Sequence, residues 1–239
     1  MRRRVLTALV VLVITVVTGT LLVFPTVGAV ACPGCYGLEP LGRQWYVEAE
    51  LPTAERVAVE AAVEVGAGRV ARFYGEQRSA PTVLACRSAP CYRRIGGGGE
   101  RGIAVLNRVV LLSPRGIDPA IAAHEMAHVE LAGRLGSAKV PQWFDEGLAV
   151  LVSDDPRYLR AENGRDRCLA STPGPLPLTL DRWLADAGAD RRLYARAACR
   201  VHRWAAARGG SRAVLDLVER VHGGADFETV TGGLTENGP

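Results

Sequence analysis

Residues 121–131 read IAAHEMAHVEL, with two histidines four positions apart and a glutamate directly after the first. In a helix, positions i and i+4 share one face, so His124 and His128 can both bind one metal ion. Glu125 is rotated by about 100° from His124, beside the ion, where a carboxylate can take a proton from metal-bound water. The alternative is a buried helix that carries two histidines with no ligand.

A zinc site needs a third ligand, and the chain offers one on the next predicted helix. The continuation HxxGxxH is excluded, because Leu131 and Arg134 occupy its positions. Downstream, PQWFDEGLAV carries Glu146, about 7.5 Å along a helix that begins at proline, and His128 lies about 12 Å from the end of its own helix. These depths differ by about one helical turn, so Glu146 can face both histidines across a helical hairpin. Two histidines and one glutamate leave one position open, which is the arrangement of a catalytic zinc site.

HEMAH followed by WFDEGLA resembles the gluzincin zinc metallopeptidases, the peptidase MA-like group that includes the M1 aminopeptidases. Four residues match the W-x-x-E-G-x-A segment of that group: Trp143, Glu146, Gly147 and Ala149. The resemblance implies three zinc ligands, His124, His128 and Glu146. It also implies that Glu125 is the general base.

The resemblance has further implications and three departures. It implies that Ile103–Ser113 is the edge strand along which a peptide aligns by adding a strand to the sheet. Seventeen residues, 129–145, separate His128 from Glu146, one fewer than in the M1 form, and Asp145 replaces the more usual Asn. No GxMEN-type segment is present, so aminopeptidase specificity is not supported. Tyr194 resembles a tyrosine that stabilises the reaction intermediate in this group, although a core aromatic is the simpler interpretation.

The periodicity around these motifs predicts helices and a few strands. Predicted helices cover 52–75, 119–136, 141–152, 181–187, 191–208 and 211–223, and predicted strands cover 81–86 and 103–114. Asp118 and Pro119 are typical of a helix N-cap and first turn. Together with the resemblance, this predicts an α+β fold. We expect a zincin-like catalytic domain with a small sheet, an HExxH helix and a C-terminal helical part, preceded by one transmembrane helix.

The N-terminus predicts that transmembrane helix. Val5–Phe24 contains twenty uncharged residues after an arginine cluster, enough to cross the roughly 30 Å hydrocarbon core of a membrane. The arginines should stay in the cytoplasm, which places the rest of the chain outside. We therefore expect residues 1–31 to form a signal anchor and residues 32–239 to form the peptidase domain. Cleavage after the Ala29-Val30-Ala31 triplet, or lipidation of Cys32, remains an alternative.

The six cysteines fit an oxidising compartment and predict disulfides. Local closure favours Cys32–Cys35 and Cys86–Cys91, and we expect Cys168–Cys199 to tie a loop to a helix. Two other interpretations are a redox-active CPGC motif at 32–35 and a four-cysteine zinc site made from both close pairs. Neither is favoured, because CPGC does not follow a strand and because export favours oxidation.

These patterns predict a membrane-anchored, extracytoplasmic peptidase that binds Zn²⁺ and hydrolyses peptide or protein substrates through water activated by Glu125. Nucleic acid is not an expected partner, because the net charge of +4 falls close to zero without the three N-terminal arginines. One alternative is a catalytically inactive zinc-binding scaffold of the same fold. Another is a disulfide-handling membrane protein based on CPGC.

Overall fold

The computed structural model describes residues 24–161, 166–169, 174–190 and 192–234, and it contains one mixed five-stranded sheet. The strands are β1 Leu38–Gly42, β2 Trp45–Glu48, β3 Thr82–Ala85, β4 Gly102–Val105 and β5 Val109–Leu112. Their order across the sheet is β1-β2-β3-β5-β4. The central strands β2, β3 and β5 run parallel, while β1 and β4 pair antiparallel at the two edges. This order makes β4 an edge strand.

The longer helices pack on one face of the sheet and form the C-terminal part of the domain, in agreement with the predicted α+β class. They are α1 Pro25–Ala31, α2 Thr53–Tyr74, α3 Ala89–Arg94, α4 Pro119–Leu135, α5 Gln142–Ser153, α6 Leu180–Ala187, α7 Leu193–Ala206, α8 Ser211–His222 and α9 Phe227–Thr231. The main core lies between the sheet, α2, α4, α5 and the C-terminal helices. The predicted helices at 52–75, 119–136 and 141–152 are confirmed to within two residues at each end.

The two helices that carry the candidate ligands, α4 and α5, form the predicted hairpin and pack against each other. Asp118 caps α4, because its carboxylate accepts hydrogen bonds from the backbone N–H groups of Ala120 at 2.8 Å and Ile121 at 3.3 Å. The α4 helix ends at Gly136, whose φ of 62° lies in the left-handed region. Pro141 precedes α5 and fixes where that helix begins. These caps determine how far His128 and Glu146 lie from the turn.

Gly147, directly after Glu146, allows α5 to approach α7 closely. A Cβ atom at this position would lie 2.6 Å from the carbonyl oxygen of Ala197, so any side chain would force the two backbones apart. The helix pair α5 and α7 is among the most extensive contacts of the fold. The glycine of the EGLA segment therefore has a packing role that is visible in the structure.

The prediction of one continuous strand over 103–114 is wrong, because this segment is a hairpin. Leu106 and Asn107 each have a φ of 53°, and they form the turn between β4 and β5. Two consecutive residues with positive φ are typical of the tight turns that match the twist of antiparallel strands. Consequently only the first half of the predicted edge strand, which includes Ile103 and corresponds to β4, lies at the edge of the sheet. The second half, β5, is buried and pairs with β3.

The prediction of a membrane-spanning helix is wrong for the part of the chain that the structure describes. None of the helices there is both long enough and apolar enough to cross a membrane. Helix α2 has 22 residues, but it carries charged side chains along its length, among them Glu64 and Arg69. The predicted span, Val5–Phe24, lies outside the described residues except for Phe24. The predicted localisation, a single-pass membrane protein with its catalytic domain outside the cytoplasm, depended on that span. This prediction is therefore corrected together with the prediction of the span.

All three predicted disulfides are present: Cys32–Cys35, Cys86–Cys91 and Cys168–Cys199. The second pair is buried in a small cluster on the sheet face opposite the main core, together with Leu84 and Ile95. The third joins an irregular segment to α7, as predicted. Three disulfides are typical of a protein that folds in an oxidising environment.

A buried carboxylate on the HExxH helix holds the segment before β3. Glu130 is fully buried and accepts hydrogen bonds from the backbone N–H groups of Arg78 and Ser79 and from the Ser79 hydroxyl. The Arg134 guanidinium lies 2.6 Å away on the next turn. Burial alone would raise the pKa of Glu130, but these donors outweigh it and hold the pKa below its ordinary value.

Replacing Glu130 with Gln should lower the free energy of unfolding by about 2–3 kcal/mol at neutral pH, because a charged acceptor of several buried hydrogen bonds is lost. A depressed pKa stabilises the fold above the unfolded-state value of about 4.3 and ceases to do so as pH falls through the folded-state value. The difference between wild type and Glu130→Gln should therefore shrink in acid. Urea unfolding at pH 7 and pH 3 measures both effects. Glu64→Gln, at an exposed position of α2, is the control, and an equal loss in both variants would contradict this account.

Candidate metal centre

Three side chains from α4 and α5 bring their ligand atoms together. Nε2 of His128 lies 3.1 Å from Nε2 of His124. Oε2 of Glu146 lies 3.4 Å from Nε2 of His124 and 3.7 Å from Nε2 of His128. One ligand atom from each residue lies within 4.8 Å of the other two, so His124, His128 and Glu146 could hold a metal ion. We refer to these three side chains as the ligand group. The hairpin therefore joins the three residues that the spacing of the sequence predicted.

The chemistry of this donor set fits a cation. Glu146 is 7% exposed, and its Oε2 accepts no well-formed hydrogen bond among the described residues. Its other oxygen, Oε1, accepts a hydrogen bond from Nε2 of Gln142 at 3.1 Å. A neutral imidazole nitrogen and an ionised carboxylate oxygen each present an unshared electron pair. Three such atoms repel one another unless a proton or a metal ion lies between them. A buried acceptor with no donor is costly, and a cation at this point removes that cost.

Glu125 lies beside this group and against the edge strand. It is 8% exposed, and a Cβ atom at Gly102 would lie 2.8 Å from its Cγ, so β4 needs a glycine at this point. Burial raises the pKa of Glu125; the neighbouring histidines and a hydrogen bond from the backbone of Ala104 lower it, but less strongly. The result is a carboxylate with a pKa above its ordinary value, between the ligand group and the backbone of β4.

Asp145 is a site residue whose contact the sequence reasoning missed. Its Oδ1 lies 2.7 Å from Nδ1 of His128, on the side of the ring away from the other ligands. Burial lowers the pKa of His128, but the charges of Asp145 and Glu146 outweigh it and raise the pKa to about 10. The signal in the sequence was the acid directly before Glu146, which was noted only as a departure from the usual Asn.

Tyr194 lies near the centre, in an aromatic cluster. Its ring centroid is 6.3 Å from that of His124, and it stacks on Tyr158 at 5.1 Å and meets Trp183 edge-on at 5.0 Å. Burial, followed by the charge of Glu146, raises the pKa of Tyr194 above its ordinary value. The hydroxyl therefore keeps its proton at neutral pH and can donate a hydrogen bond.

The remaining histidines lie outside the ligand group. Nδ1 of His222 lies 3.1 Å from the carbonyl oxygen of Leu135, at the end of α4. His202 lies on α7, where its Nε2 is 3.5 Å from the backbone nitrogen of Arg167. Both histidines therefore contact backbone atoms of neighbouring segments.

No protein-family model, curated protein or solved structure with which the chain was compared matches it. The interpretation of the centre therefore depends on the geometry and chemistry of its own residues.

The wild-type chain should bind about one divalent metal ion, and Glu146→Ala should bind nearly none, because two histidines on one helix turn do not complete a tetrahedral site. Metal content per chain, measured by elemental analysis after dialysis against a trace of Zn²⁺, gives the result. Glu219→Ala, at an exposed position of α8, is the matched control and should keep the metal. Equal metal content in wild type and Glu146→Ala would contradict the assignment of this group.

Proposed function

We propose that the chain is a zinc-dependent peptidase of the gluzincin type. The observation that supports this most directly is the convergence of His124, His128 and the buried, unpartnered Oε2 of Glu146, with Glu125 beside them. Two imidazoles and one carboxylate form the donor set that zinc prefers in hydrolytic sites. Zinc held there supplies a Lewis acid for a substrate carbonyl and lowers the pKa of water.

Glu125 supplies the proton transfers that peptide hydrolysis needs. As general base it takes the proton of the attacking water, and as general acid it returns a proton to the leaving amine. Burial favours both roles, because it raises the pKa of the carboxyl group toward the pH at which the enzyme would work. The ring of Tyr194 lies 6.3 Å from that of His124, which makes its protonated hydroxyl a candidate hydrogen-bond donor to developing negative charge.

The edge strand β4 offers a binding site for an extended peptide. Within the described part of the chain, β4 pairs with β5 on one side only, so no strand covers its other backbone edge. Gly102 and Ala104 of this strand contact Glu125, which places the free edge next to the proposed base. A peptide that adds a strand here would have its backbone near the ligand group, a mode of binding that recognises main chain and tolerates many side chains.

Replacing Glu125 with Gln should lower the rate of peptide cleavage by about 100-fold to 10,000-fold, because the amide cannot take a proton. The zinc content should stay at the wild-type level, since Glu125 is not a ligand in this proposal. Digestion of a peptide library by wild type, Glu125→Gln and the control Glu64→Gln, with mass spectrometry of the products, gives the rates.

Two outcomes would contradict the proposal. Undiminished cleavage by Glu125→Gln would remove the assigned base. If the wild-type protein binds zinc but has no peptide cleavage activity that a chelator removes, a zinc-binding scaffold of the same fold is favoured instead.

A further inference from the structure

Asp145 contacts a proposed ligand from outside the ligand group. It lies in the first turn of α5, one residue before Glu146, and its Oδ1 is 2.7 Å from Nδ1 of His128. An ionised carboxylate has no hydrogen to donate, so Nδ1 of the imidazole must carry the proton. In a neutral ring this leaves the lone pair on Nε2, the nitrogen that faces Nε2 of His124 and Oε2 of Glu146.

The two consecutive acids of α5 therefore reach the same histidine from different sides. Glu146 is nearly buried, with 9% of its side chain exposed, and lies inside the group of ligand atoms. The Asp145 side chain is 30% exposed and lies at the solvent side of the His128 ring. Successive helical residues point about 100° apart, which is what allows one acid to face the centre and the other to hold the ring.

We propose that Asp145 is a positioning residue whose negative charge, and not only its hydrogen bond, strengthens metal binding at His128. This inference rests on the zinc-binding part of the proposed function and not on peptide cleavage. An acceptor on the second ring nitrogen fixes which nitrogen binds the metal and makes the imidazole a stronger ligand. An asparagine would accept the same hydrogen bond through its carbonyl oxygen, but it would bring no charge. Aspartate and asparagine at this position therefore separate the two contributions.

The test compares zinc affinity in four proteins: wild type, Asp145→Asn, Asp145→Ala and Asp181→Asn. Asp181 is an exposed aspartate in the first turn of α6, so its replacement makes the same change of charge at the same place in a helix. The dissociation constant for Zn²⁺ is measured by competition with a chromophoric chelator, at a temperature where circular dichroism shows every protein folded. Asp145→Asn should weaken zinc binding about tenfold and Asp145→Ala about a hundredfold, with Asp181→Asn unchanged.

A second readout follows the histidine itself. In zinc-loaded wild-type protein, the proton on Nδ1 of His128 should give a strongly deshielded, slowly exchanging nuclear magnetic resonance signal. The signal should move upfield in Asp145→Asn and exchange away in Asp145→Ala. A general loss of stability would not produce this graded change at a single ring proton.

Equal zinc affinity in wild type and Asp145→Asn would overturn the role of the charge, and equal affinity in Asp145→Ala would overturn any positioning role. Wild-type protein without zinc affinity would overturn both this inference and the proposed function. Tight zinc binding that depends on Asp145, in a protein that cleaves no peptide, would overturn the proposed function and leave this inference standing.

Discussion

The structure depends on a buried carboxylate, Glu146, whose Oε2 accepts no well-formed hydrogen bond within the described part of the chain. Oε2 of Glu146 lies 3.4 Å and 3.7 Å from the Nε2 atoms of His124 and His128, in a core of helices α4, α5 and α7. In a medium of low dielectric constant this arrangement is unfavourable unless a positive charge occupies the space between the three atoms. A divalent cation bound there would remove the repulsion, so metal binding at these residues would also stabilise the fold.

The rest of the domain keeps these three atoms in place. Gly147 lets α5 lie directly on α7, which supports the turn that carries Glu146. On the other side, α4 packs on α2 and on the sheet, and Glu130 ties it to the segment before β3. Asp118 caps the start of α4 and fixes the first turn of the helix. A site assembled from side chains on two well-packed helices is held more precisely than one assembled from loops.

Local patterns in the sequence predicted the helices and the ligand group. Caps such as Asp118 and the proline before α5 act within one helical turn, so they can be recognised without tertiary structure. The spacing between His128 and Glu146 was sufficient to predict the hairpin, because both helices have a fixed rise per residue. Short separations likewise favoured the disulfides Cys32–Cys35 and Cys86–Cys91, both of which the structure contains.

Features that arise from non-local contacts could not be predicted in this way. Strand β1 contains a glutamate, a proline and a glycine, and it exists because it pairs with β2, a strand of only four residues that pairs in turn with β3. The turn at Leu106 and Asn107 interrupts an apolar run that periodicity alone describes as one strand. The contact between Asp145 and His128 depends on the rotation of α5 about its own axis, which spacing along the chain does not determine.

A crystal of the protein soaked in Zn²⁺ and measured at the zinc absorption edge tests the central claim most directly. The account predicts one strong anomalous peak about 2.0–2.2 Å from Nε2 of His124, Nε2 of His128 and a carboxylate oxygen of Glu146, with one coordination position not filled by the protein. A peak at other residues, or no peak between α4 and α5, would contradict it.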